Sequence, residues 1–177
     1  LRFDWNVDKF VLITCHRREN FGEGLANICD AIFELSRKFT SVQFVFPVHP
    51  NPNVDEFVST ALRQIENVHL ISPLDYEKFI FLLNLSALVI TDSGGIQEEA
   101  TSLNKPVLVC REFTERIEAS EAGLIQLVGS STELIVREGV KFLSKATTRN
   151  SALLQNKLFG DGDAALRITD FIERELI

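Results

Sequence analysis

Apolar residues in this chain fall into short unbroken runs, separated by longer stretches in which they recur every three or four positions. The runs at Phe10 to Thr14, Val42 to Val48, Val68 to Ile71, Ala87 to Thr91, Pro106 to Val109 and Leu124 to Val128 are rich in β-branched and aromatic residues and predict β-strands. Leu25, Ile28, Cys29, Ile32 and Phe33, and then Val54, Phe57, Val58, Ala61, Leu62 and Ile65, keep the rhythm of helices with one buried stripe. Ala164, Ala165, Ile168, Phe171 and Ile172 repeat it near the C-terminus, where Asp161 and Asp163 favour a helix start. Strands alternating with helices predict an α/β fold with a doubly wound, mostly parallel sheet of about six strands, because parallel neighbours need a crossover and a helix supplies it. No linker or internal repeat divides residues 1–177, so they read as a single domain.

Composition narrows the function. With 177 residues, 45% of them hydrophobic, the chain can bury a sizeable core. A formal charge of −7, without any basic run carrying interleaved aromatics, argues against a nucleic-acid partner, so an anionic ligand has to be captured by local donors. Cys15, Cys29 and Cys110 are odd in number and lack CxxC spacing, which predicts neither a disulfide framework nor a zinc site and makes a reducing cytoplasm the default. The longest apolar stretches, Phe79 to Leu85 and Ala87 to Ile90, are too short to span a bilayer and no signal peptide opens the chain; a soluble protein without a membrane partner is expected. The chain opens Leu1-Arg2-Phe3-Asp4-Trp5 and contains no methionine, which reads as a fragment or a processed piece.

In a doubly wound sheet, ligands bind outside the carboxyl ends of the strands. The unusual polar residues of this chain sit there, one strand after another. His16 and Arg17 follow the first strand, His49 the second, Ser72-Pro73-Leu74 the third, Ser93-Gly94-Gly95 the fourth and Arg111 to Arg116 the fifth. Ser93-Gly94-Gly95 precedes a helix predicted over Ile96 to Leu103, so its free N–H groups and the positive end of the helix dipole suit a phosphate. Glu99, four residues after Gly95, reads as a partner for a ribose diol, and His16 as a general acid or base or a cationic donor to a phosphate leaving group. Among the arginines, Arg116 is the first candidate for the ligand because Glu115 and Glu118 flank it and would order its side chain. His49 lies in Pro47-Val48-His49-Pro50-Asn51-Pro52, where three prolines restrict the loop. Cys15 is set aside as a nucleophile for His16, since adjacent residues leaving a strand point to opposite faces.

The strings Thr14-Cys15-His16-Arg17-Arg18-Glu19-Asn20-Phe21-Gly22, Pro47-Val48-His49-Pro50-Asn51-Pro52, Thr91-Asp92-Ser93-Gly94-Gly95-Ile96-Gln97-Glu98-Glu99-Ala100 and Thr114-Glu115-Arg116 resemble the non-hydrolysing UDP-N-acetylglucosamine 2-epimerases, in register from about Phe10 to the C-terminus. The resemblance implies the second Rossmann-like domain of a glycosyltransferase B-type fold, with the N-terminal domain absent from the chain. It further implies inversion at C2 of UDP-N-acetylglucosamine to give UDP-N-acetylmannosamine, by elimination of UDP and re-addition, with neither metal nor other cofactor. His16 is similar to the active-site histidine, Ser93-Gly94-Gly95 to the diphosphate cradle, Glu99 to the ribose-binding glutamate, Arg116 to the nucleotide-site arginine and Phe79 to the residue beside the uracil. Arg17 and His49 are similar to residues lining a second, regulatory substrate site in bacterial relatives. Leu74 stands where many relatives have a base-contacting glutamine and could serve through its backbone, and Cys15 stands where glycine is usual. The family's catalytic carboxylates belong to the first domain, so the expectation is a fragment that binds UDP weakly and turns over nothing, within a parent that forms a homodimer. Two other readings share the architecture: a glycosyltransferase nucleotide domain, against which His16-Arg17-Arg18-Glu19 argues, and a non-catalytic nucleotide-sugar sensor.

Overall fold

The computed structural model describes residues 9–144 and 157–176. Six parallel strands form one sheet: β1 (Phe10–Thr14), β2 (Gln43–Pro47), β3 (Val68–Ile71), β4 (Leu88–Thr91), β5 (Val107–Val109) and β6 (Ile125–Leu127), in the order β3-β2-β1-β4-β5-β6. All the predicted strands are present, β1 and β3 with the predicted bounds and the other four trimmed by one residue at one or both ends. They read so clearly because a parallel sheet covered on both faces needs uninterrupted apolar runs rather than alternation. All five residues of β1 are buried; Val11 and Ile13 face one side of the sheet, Phe10 and Leu12 the other.

The helices that cover the faces are α1 (Glu23–Lys38), α2 (Pro52–Leu62), α3 (Tyr76–Leu85), α4 (Gly94–Ser102), α5 (Ile117–Glu121), α6 (Thr132–Ser144) and α7 (Ala164–Leu176). On one face Leu25, Ile28, Ile32 and Leu35 of α1 pack with Val54, Val58 and Leu62 of α2 and with Ile135 and Leu143 of α6. On the other, Leu82 and Leu83 of α3, Ala100 of α4 and Ala119 of α5 cover Leu12, Val89 and Val107. The helix predicted from Ile96 begins two residues earlier, at Gly94. Pro52 is the first residue of α2, where its missing N–H costs no helical bond.

One expectation fails. The stripe Ile168, Phe171 and Ile172 of α7 was read as a buried face, yet these side chains are exposed, and among the described residues no element lies over them. Periodicity reports that a helix is amphipathic and says nothing about whether a partner is at hand.

Leu35 is fully buried between α1 and α6. Leu35→Ala is expected to destabilise the domain by about 2 to 5 kcal/mol, seen as a lower urea midpoint at unchanged slope.

Candidate functional site

The strand order places a switch point between β1 and β4, where the chain leaving β1 turns one way across the sheet and the chain leaving β4 the other. The two strand ends are tied by a 2.7 Å hydrogen bond between the Thr14 and Thr91 hydroxyls, and Thr91 Oγ1 also accepts the Ser93 N–H at 3.0 Å. The next residue, Asp92, is completely buried. Its carboxylate accepts the His16 N–H (3.0 and 3.2 Å), the Arg17 N–H (2.9 Å) and the Asn20 amide (2.9 Å), and the same amide reaches the Cys110 carbonyl at 3.1 Å. These donors replace the water a carboxylate would otherwise keep. Through them Asp92 shapes the whole turn after β1: a 3-10 turn at Arg18–Asn20, then Gly22 at φ +79°, a conformation glycine adopts without strain, and then α1. The His16 ring stays 40% exposed, its Nδ1 3.8 Å from Asp92 Oδ1, and stacks on His49 with ring centres 5.5 Å apart. His49 Nδ1 accepts the Asn51 N–H at 3.2 Å, so the ring is aimed by that bond as well as by its proline neighbours.

Across the switch point, Ser93 caps α4 without a side-chain bond to the helix, and the first intrahelical bond is Gln97 N–H to Ser93 O at 3.3 Å. The N–H groups of Gly94, Gly95 and Ile96 therefore precede the helical ladder and are available to an anion. A side chain on Gly95 would meet open space, whereas a Cβ on Gly94 would lie 3.3 Å from Arg116 Nη2. The absence of a side chain at Gly94 is what lets a guanidinium lie against the turn. The loop carrying Arg116 is anchored to α4: the Arg116 N–H donates to Thr114 Oγ1 (3.2 Å), the Thr114 hydroxyl to Gln97 Oε1 (2.6 Å), and the Gln97 amide to Ser93 O (3.2 Å).

Arg116 is ordered by carboxylates, though not by both of the predicted ones. Glu115 bonds Nη1 at 3.0 Å, and Glu98 Oε1 bonds Nη2 at 2.6 Å and Nε at 2.8 Å. Glu118 is exposed on the first turn of α5 and is no partner; one turn of α4 beyond Gly94 puts Glu98 in that place instead. Arg111, the other cation of this loop, is buried and bonds Glu19 at 2.9 Å and Glu115 at 3.3 Å, so it braces the site from behind rather than facing a ligand. Glu99 is half-buried on α4; burial pushes its carboxyl above the usual range, Tyr76 hydroxyl contact pulls it back and the neighbouring Glu98 charge adds to the rise.

A cleft of about 160 Å³ opens at the strand ends, lined by His16, His49, Leu74, Phe79 and Ile96 among others. The structure thus brings His16, His49, Leu74 and Phe79 to one cleft, with Ile96 linking it to the Ser93-Gly94-Gly95 turn. Arg17 is half-exposed and Arg18 exposed. Cys15 is buried against Cys110; that contact and burial push its thiol well above the usual range, in agreement with setting it aside as a nucleophile. Arg111 was placed on the rim from the sequence but not as a buried brace, and Asp92, Gln97 and Glu98 were given no role of their own there, although an aspartate wedged between a buried threonine and a Ser-Gly-Gly turn was a usable signal for the first of them. Among the described residues no group of His, Cys, Asp and Glu is arranged to hold a metal ion.

The sequence model of the UDP-N-acetylglucosamine 2-epimerase family matches residues 2–173. The chain belongs to that family. It is 47% identical over 164 residues to the UDP-N-acetylglucosamine 2-epimerase of Campylobacter jejuni, covering 93% of this chain and 43% of that one. The Neisseria meningitidis UDP-GlcNAc 2-epimerase bound to UDP-GlcNAc superposes with a TM-score of 0.85 at 42% identity, over 95% of this chain and 45% of that one. The S. aureus MnaA–UDP co-structure does so with a TM-score of 0.88 at 37% identity, over 97% and 47% respectively. The α/β, Rossmann-like sheet is therefore that of the epimerases, and the chain spans less than half the length of these relatives.

Two outcomes follow from the geometry. Asp92→Ala leaves three donors facing an empty space and is expected to cost on the order of 3 kcal/mol or more in urea unfolding. All three cysteines are buried, with Cys29 pushed up to about 12 chiefly by burial, so none is expected to react with Ellman's reagent in the native protein at pH 8, and three are expected to react in guanidinium.

Proposed function

We propose that this chain is the UDP-binding domain of a UDP-N-acetylglucosamine 2-epimerase that interconverts UDP-N-acetylglucosamine and UDP-N-acetylmannosamine. The carrying observation is the turn at Ser93-Gly94-Gly95, whose free N–H groups and adjacent Arg116 lie across the switch point from His16. Elimination removes the C2 proton, forms the C1=C2 bond and breaks C1–O, and the electron pair departs on the diphosphate. Backbone donors of Gly94 and Gly95, the Arg116 guanidinium and a protonated His16 are the groups placed to stabilise that growing charge. Re-addition of UDP with proton delivery to the opposite face of C2 gives the epimer. Glu99 takes the ribose hydroxyls, Phe79 lies beside the uracil and Leu74 meets the base through its backbone. Arg17 and His49 line a second nucleotide-sugar subsite.

The groups that handle the C2 proton come from the remainder of the full-length protein, since relatives are more than twice as long as the stretch matched here. The chain alone is expected to bind UDP and to catalyse nothing. The full-length enzyme works as a homodimer in the cytoplasm, a reducing setting that suits three free thiols.

Calorimetry tests this directly. Glu99→Ala is expected to weaken UDP binding by about 1.5 to 3 kcal/mol, the worth of hydrogen bonds to a charged group, and to leave pyrophosphate binding unchanged. Equal UDP affinities would remove Glu99 from the pocket, and sugar interconversion by the chain alone would overturn the division of labour. The ionised form of Glu99 is the acceptor and its carboxyl titrates above the ordinary range, with Tyr76 and Glu98 as its polar neighbours. The part of UDP affinity that Glu99 supplies is therefore lost on acidification at a higher pH than an ordinary glutamate would give, and the Glu99→Gln profile is expected to lack that part.

A further inference from the structure

The arginine offered to an anion at Gly94 is already neutralised. One Glu98 oxygen bridges Arg116 Nε (2.8 Å) and Nη2 (2.6 Å), and Nη2 is the guanidinium atom nearest Gly94. Glu115 takes Nη1 at 3.0 Å. Counted with Arg111 and its other partner Glu19, three carboxylates face two guanidiniums, so no cationic charge is left over beside a turn that is otherwise built for anions.

The two carboxylates are not equivalent. Glu115 has a second cation, the buried Arg111 at 3.3 Å, and can remain with it whatever happens at Arg116. Glu98 is bonded to Arg116 alone among the described cations, and its side chain is 40% exposed, so it can swing into solvent without leaving a buried charge behind. An incoming phosphate oxygen and Glu98 Oε1 compete for the same edge of the guanidinium.

Building on the reading of Ser93-Gly94-Gly95 as a diphosphate site, we propose that Glu98 is a resident counter-ion that the diphosphate displaces from Arg116 on binding, and that this exchange holds ligand affinity down. In the empty site Glu98 keeps Arg116 laid against Gly94. In the occupied site the ligand takes over that edge and Glu98 turns outward. Affinity then reflects the difference between two charge-assisted contacts instead of the whole of one, which favours release of the nucleotide after each turnover.

The test is calorimetry at pH 7.5 with inorganic pyrophosphate and with UDP on the wild-type chain, Glu98→Gln and Glu118→Gln. Glutamine keeps an oxygen that can accept from Nε and Nη2, so it removes the charge while retaining the geometry. Glu98→Gln is expected to bind both ligands about five- to twentyfold more tightly, falling towards wild type as salt is raised. Glu118→Gln, which removes an equal charge from the same rim without touching Arg116, is expected to change either affinity less than about twofold. If Glu98→Gln binds equally or more weakly, Glu98 orients Arg116 for the ligand and the exchange is wrong. Equal tightening by Glu118→Gln also overturns it, since net charge would then suffice. Binding of neither ligand by wild type or variant would instead defeat the diphosphate-site reading and the exchange together.

Discussion

The rim of this domain depends on one buried carboxylate. Asp92 has no contact with solvent, and a charge placed there is tolerable only if donors close around it. The donors come from the segment leaving the neighbouring strand: two main-chain N–H groups and the amide of Asn20. The anion therefore acts as a template on which the turn after β1 is folded. The direction in which His16 leaves the backbone follows from that wrapping, and so does the tie to the carbonyl after β5. Because Asp92 is satisfied by one loop, the opposite loop keeps its own N–H groups for a ligand.

A second constraint runs along the rim as alternating charge. Glu19, Arg111, Glu115, Arg116 and Glu98 are joined in that order by contacts of 2.9, 3.3, 3.0 and 2.6 Å, so the turn after β1 is linked to the helix after β4. Arg111, with its side chain 5% exposed, is the fixed point of the series, and the three carboxylates of the series all reach towards solvent. Exposed ion pairs alone contribute little. The value of this series is geometric: it fixes the imidazole side of the cleft relative to the helix N-terminus.

Most of the sheet could be read from the sequence for a simple physical reason. Strands covered on both faces are apolar without interruption, and the polar residues that break each run, His16, His49, Ser93 and Arg111, then fall at the same end of successive parallel strands. Pairings across the fold were harder. Arg116 was expected to use its sequence neighbour Glu118, but helix α5 carries that residue away and α4 delivers Glu98. Arg111 looked like its exposed companions and is buried, because its environment is set by Glu19, ninety-two positions distant. Asp92 sits inside a recognisable string, yet its importance lies in the donors that converge on it from another segment. The stripe on α7 shows the same limit from the other side: a periodic apolar face can be read, its cover cannot.

The small bond from the Asn51 amide to His49 has a consequence for how the cleft can address a guest. A main-chain N–H can only donate, so the imidazole nitrogen it meets must present its lone pair, and in the neutral ring the hydrogen resides on the far nitrogen. In that neutral form His49 can give a hydrogen bond only through its far nitrogen. Oxygen-rich visitors such as sugar hydroxyls or phosphoryl groups are welcomed by that tautomer, while a visitor bringing only N–H groups would find no acceptor there.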